Sequence, residues 1–157
     1  MPKSYIDIVR SKLKSYRDRG VFRGFSESEG RTGKTVFKFT WLLDRGFALE
    51  YDPKKHTLTL KNLLPHIPNR SDMDQDLRAW VQARNSGDLP AHRRVDPKRA
   101  DLGYANRQEN VSLTLTVKKN QYSYGVTKLL NTTNELFGHL HMAHIPYLWK
   151  HFEVPEE

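Results

Sequence analysis

The spacing of apolar residues changes twice along the chain, from three or four to two and back again. Near the start, Ile6, Val9, Leu13 and Tyr16 fall three or four apart. Such residues share one face of a helix, predicted over residues 5 to 18, with Ser4 and Asp7 set as a capping box and Gly20 near its stop. From 36 onward the period is two. Phe37, Phe39 and Trp41 alternate with Lys38 and Thr40; Phe47, Leu49 and Tyr51 with Ala48 and Glu50; Leu58 and Leu60 with Thr57 and Thr59. A period of two sends successive side chains to opposite faces of a strand. Asp44-Arg45-Gly46 and Asp52-Pro53 supply turns between the runs. With residues 21–25 ahead of them, these runs predict an antiparallel meander of four strands. Pro65 and Pro68 end it, because proline cannot donate to a ladder.

Helical spacing returns after Ser71, placed to cap a helix over 72 to 84 with Met73, Leu77, Trp80 and Val81 on one face and Asn85-Ser86-Gly87 as its stop. Residues 86 to 107 hold no clear period and predict a long basic loop, with a partner strand over 101 to 107 as the alternative for its second half. Long loops inside a domain are commonly functional or mobile. Val111, Leu113, Leu115 and Val117 alternate cleanly with Ser112, Thr114 and Thr116, which is a strand. Val126, Leu129, Leu130, Thr133, Leu136, Phe137 and Leu140 then trace a long helix, and Pro146 opens a short one carrying Leu148, Trp149 and Phe152. The pattern predicts a single α+β domain over 1 to 157: an antiparallel sheet with helices packed on one face, and an acidic tail at 153 to 157.

One stretch within this pattern suggests a nucleotide site. Gly30-Arg31-Thr32-Gly33-Lys34-Thr35 resembles a phosphate-binding loop, but Ser28 stands where that motif requires its first glycine. Such a loop must also open a helix, whose N-terminus helps hold the anion. Residues 36 to 41, directly after it, have the period of a strand instead. The stretch is therefore predicted as a hairpin connection, with Gly30 and Gly33 supplying positive φ.

Composition narrows the chemistry. The 157 residues include three Trp, seven Tyr and seven Phe, enough large apolar side chains for a core without metals or disulfides. The absence of Cys removes disulfides, thiolate nucleophiles and cysteine zinc sites. No apolar run is long enough to span a bilayer and the N-terminus lacks a signal-peptide core, so a soluble cytoplasmic protein without membrane association is expected. The outlier is charge: 26 Lys and Arg against 18 Asp and Glu, a net of +8. The excess lies in residues 1 to 23 and 92 to 107. Arg10, Lys14 and Arg17 line one stripe of the first helix, while Arg93, Arg94, Lys98 and Arg99 crowd the loop, with Tyr104 beyond them as a ring on which a base could stack. These eight residues are the candidates for polyanion or nucleic-acid binding, although no RNA- or DNA-binding motif accompanies them.

Other chemistry is scarce. Asp72-Met73-Asp74-Gln75-Asp76 has the carboxylate spacing that opens a calcium loop, but Leu77 and Ala83 replace its glycine and bidentate glutamate. These acids read as first-turn charges facing the helix dipole. Among the C-terminal histidines, His141 and His144 share a helix face at i,i+3 and are the candidate metal ligands, whereas His139 is predicted to point elsewhere. No catalytic or cofactor-binding set is recognisable, and no cofactor is expected.

The order of helix, meander, helix, strand and long helix resembles that of the type III secretion chaperone-like proteins, including the YbjN-like branch. The resemblance covers about residues 5 to 142 and centres on Phe47-Ala48-Leu49-Glu50-Tyr51 and Thr57-Leu58-Thr59-Leu60. It implies a non-catalytic protein-interaction or chaperone-like module, often a homodimer, that binds a protein partner. The alternative is nucleic-acid or polyanion binding through the basic segments. A further alternative is an enzyme or ligand-binding protein with a pocket edged by His139, His141 or His144.

Overall fold

The two-residue alternation becomes a six-stranded antiparallel sheet. The computed structural model describes residues 5–152, so the Ser4 half of the capping box and the acidic tail lie outside the described residues. In chain order the elements are α1 (Tyr5–Asp18), β1 (Arg23–Glu29), β2 (Thr35–Thr40), β3 (Gly46–Asp52), β4 (Thr57–Leu64), α2 (Asp72–Ala83), β5 (Ala100–Arg107), β6 (Asn110–Val117), α3 (Tyr122–Ala143) and α4 (Ile145–His151). The strands lie in the order β1-β2-β3-β4-β6-β5.

Register explains the two faces. Phe37 pairs with Leu49, Leu49 with Leu60, Leu60 with Leu113 and Leu113 with Tyr104, so these side chains form one continuous row. The next row runs through Tyr51, Leu58, Leu115 and Leu102. Against this face lie Val9 and Leu13 of α1, Leu77 and Val81 of α2, and Val126, Leu129, Leu136 and Leu140 of α3, all fully buried in one apolar cluster. Gly125 lets α3 approach closely: a Cβ there would stand 3.0 Å from Val117 Cγ2 and 3.2 Å from Leu115 Cδ2. The fold is thus α+β with the helices on one face. The other face carries Val36, Ala48, Glu50, Thr59 and Thr114, and no described element covers it.

The segment 30 to 35 is a hairpin connection. Lys34 leads into β2, not a helix, which removes the phosphate-loop reading. Gly33 has the expected positive φ of 79°. Gly30 does not (φ −92°); Thr32 takes the second left-handed position at 57°.

The loop at 86 to 107 is shorter than the pattern suggested. Residues 100–107 form β5, joined to β6 through Gln108 and Glu109, both with positive φ. That conformation is the one a two-residue hairpin needs, but neither residue belongs to the Asn-Gly class that announces it.

Candidate functional site

The eight candidate anion-binding residues separate into three places. Those on α1 are largely neutralised by neighbours. Arg10 donates from Nε and Nη2 to the two carboxylate oxygens of Glu27 at 2.6 and 2.7 Å, and from Nη1 to Asp7 at 2.6 Å. Arg17 donates to Asp18 and lies over the Phe25 ring. Lys14 lines a shallow concavity beside Arg10 that also contains Asp7 and Asp18.

Tyr104 stands apart from the basic loop. Its row on β5 faces α2, where its hydroxyl donates to Asp74 at 2.6 Å and the Arg78 guanidinium lies 4.8 Å from its ring. Asn106 and the Arg70 N–H donate to the same carboxylate at 3.0 and 2.9 Å. Burial alone would raise the Asp74 carboxyl, but these three hydrogen bonds together hold it below its ordinary range. Burial, followed by the bond to Asp74, pushes the Tyr104 hydroxyl far up. Tyr104 therefore anchors α2 to the sheet and offers no free ring to a base. Asp74 is a first-turn charge of α2, as its position predicts, and it is also buried.

The loop cations do come together. The chain leaving α2 turns through Pro90 into a short 3₁₀ turn at Ala91–Arg93, and Val95 N–H bonds Arg84 C=O at 2.7 Å. Lys118, at the end of β6, closes the corner: its N–H bonds Arg99 C=O at 2.8 Å and its Nζ donates to Pro97 C=O at 2.9 Å. Arg94, Lys98 and Arg99 line an open concavity of about 510 Å³ with Asp96 and Tyr124. Tyr124 is the aromatic member that sequence placed at Tyr104. Its hydroxyl accepts Asp96 N–H at 2.8 Å and Arg99 lies 5.0 Å from its ring. Arg93 is exposed and is not part of the concavity's lining.

Beneath this corner are two buried cations. Arg84 is 8% exposed and stacks on Trp80 at 4.0 Å, 3.9 Å from Glu135 Oε2. Lys128, also 8% exposed, donates to His92 C=O at 3.1 Å. Burial lowers both groups, Glu135 partly restores them, and the like charge of Arg93 on Arg84, and of Arg84 on Lys128, lowers them further. One carboxylate thus serves two interior cations.

A second cluster joins the far ends of α2 and α3. His139 Nε2 and His144 Nε2 lie 2.8 and 2.6 Å from the same oxygen, Asp76 Oδ2. A carboxylate only accepts, so in these two hydrogen bonds each Nε2 carries a proton. The bond from His144, opposed by burial and joined by that from His139, holds the Asp76 carboxyl below its ordinary range. This overturns two expectations. His139 does not point elsewhere, and His141 is exposed outside the cluster. The reason is that α3 ends at Ala143: His144 has φ −137° and ψ 38°, so helical spacing no longer relates it to His141. The completing carboxylate lies 63 residues from His139 in sequence, where no local spacing could reveal it.

No described helix is long and apolar enough to cross a membrane. No protein-family model matches the chain, and neither a curated protein nor a solved structure matches it.

Proposed function

We propose that the protein is a non-catalytic binding module for an anionic polymer, with single-stranded nucleic acid as the reference ligand. The observation that carries this reading is the convergence of Arg94, Lys98 and Arg99 on one concavity, with Lys118 bonded to Pro97 of its lining and the buried pair Arg84 and Lys128 nearby. Guanidinium groups suit phosphate oxygens, and Tyr124 lines the same place with its ring against the Arg99 guanidinium. Arg10 and Arg17 on α1 have acidic partners and play a lesser part. The lack of Cys permits a reducing compartment such as the cytoplasm.

Fluorescence anisotropy with a labelled oligonucleotide tests the reading. Saturable binding should weaken at least tenfold when Arg94, Lys98 and Arg99 are together replaced by Glu, while circular dichroism remains unchanged. Equal affinity in a folded triple variant would overturn it.

A second reading rests on the uncovered sheet face. In this view a protein partner, or a second copy of the chain, adds a strand at an edge; the resemblance to chaperone-like proteins implies a bound protein partner but not this mode. The two edges differ. On β5 the Asn85 amide donates to Leu102 C=O and accepts Leu102 N–H, at 2.7 and 3.1 Å, so that position is already paired. The β1 edge is the one left for addition, and sedimentation at two protein concentrations before and after a Ser26→Pro change separates this reading from the first.

A further inference from the structure

The second cluster carries a different chemistry. We propose that Asp76, His139 and His144 bind a late first-row divalent cation, with zinc as the reference ion. Two imidazole nitrogens are aimed at one carboxylate oxygen, and all three atoms lie within 4.8 Å of one another. Two nitrogens and one oxygen are a donor set that zinc accepts, with water completing the tetrahedron. Magnesium and calcium favour sets built from oxygen.

The three ligand atoms, within 4.8 Å of one another, must settle at the spacing one ion sets. Bonds of about 2.0 to 2.1 Å to a tetrahedral ion would place the ligand atoms about 3.3 Å apart. The Asp76 side chain, 44% exposed, is free to retreat by the required fraction of an ångström. The histidines are held more firmly, at 21% and 18% exposure. His139 stacks on Trp80, one turn beyond Asp76 on α2, with ring centroids 5.7 Å apart and planes 20° apart. The His144 N–H bonds Leu140 C=O at 2.9 Å, and the two imidazoles meet edge to face at 5.6 Å. Ligands fixed by their own packing lose little freedom on taking up an ion. On binding, each imidazole moves its proton from Nε2 to Nδ1 and the ion replaces the two hydrogen bonds to Asp76. The ion would then tie α2 to the junction of α3 and α4, so it should stabilise the folded chain by mass action.

Full-length protein purified without a histidine tag and stripped of metal tests this. Calorimetric titration with zinc chloride should give one saturable site, accompanied by a rise in Tm. Asp76→Asn and His144→Ala should each weaken binding at least tenfold, whereas His141→Ala should leave it unchanged. Should a variant fail to fold, nitrogen NMR of the unaltered protein answers the same question: zinc must shift the ring nitrogens of His139 and His144 and leave those of His141 in place. Absence of a saturable site, binding that survives in folded Asp76→Asn and His144→Ala, or an equal response to magnesium would overturn the proposal.

Discussion

Gly125 and Gly138 belong to the same helix, yet substitution should act on them in opposite directions. A Cβ at Gly138 meets nothing within 4 Å, and alanine there should raise stability by about 0.5 to 1 kcal/mol through the lost flexibility of the unfolded chain. Gly125 faces Val117, Leu115 and Leu58 at 3.0 to 3.3 Å, and Gly125→Val should cost about 1 to 3 kcal/mol by overpacking. Urea unfolding midpoints moving in the same direction for both would refute this account of α3 packing. The sequence showed neither difference, because helical periodicity marks which face is apolar without saying how near that face comes to a sheet. The same limit governs the histidines. Spacing rules paired His141 with His144 by assuming that the helix continues, and the helix ends between them. Gly33 was legible for the opposite reason: a tight connection between two alternating runs needs positive φ, and a glycine stood there.

At the scale of elements, legibility followed amphipathicity. β6 alternates fully between buried and half-buried positions, and α1, β3, β4, α2 and α3 also declare themselves by period. β5 does not. Gly103 and Ala105 are small, and Tyr104 and Asn106 are turned toward a buried carboxylate on α2, so its inward face is not an apolar stripe. What holds α1 to β1 was equally invisible, since the Arg10–Glu27 pair spans 17 residues. That pair makes a pH prediction. The hydrogen bond from Arg10, against the cost of burial, holds Glu27 below its reference value of 4.5. A carboxyl depressed in the folded state contributes stability that is present above the unfolded value and is lost as pH falls through the folded one. Stability should therefore fall on acidification below about pH 4.5, and more steeply than in Glu27→Gln. Chemical denaturation across that range checks it. Parallel pH profiles for the two proteins would show that the pair contributes nothing, as some exposed pairs do.

For the whole molecule, the net charge of +8 says only that anions are favoured partners; the fold decides where they can act. Arg10 and Arg17 are matched by Glu27, Asp7 and Asp18, and Arg23 is paired with Asp44. At the corner made by residues 84–99, Lys118 and Lys128, the seven cations outnumber Asp88, Asp96 and Glu135, although Arg99 lies 3.5 Å from Asp96 and Arg84 3.9 Å from Glu135. This asymmetry should appear in salt dependence. Each phosphate neutralised on a single strand contributes about −0.7 to the slope of log affinity against log salt, so four engaged cations give a slope of about −3. Changing Lys98 and Arg99 together to Gln should make the slope shallower by about 1.4. The paired change Arg10→Gln and Arg17→Gln should leave it where it was, because those guanidinium groups already have carboxylate partners. Anisotropy titrations at four salt concentrations measure all three slopes. If the α1 variant loses as much slope as the corner variant, binding follows net charge alone and the corner has no special part in it.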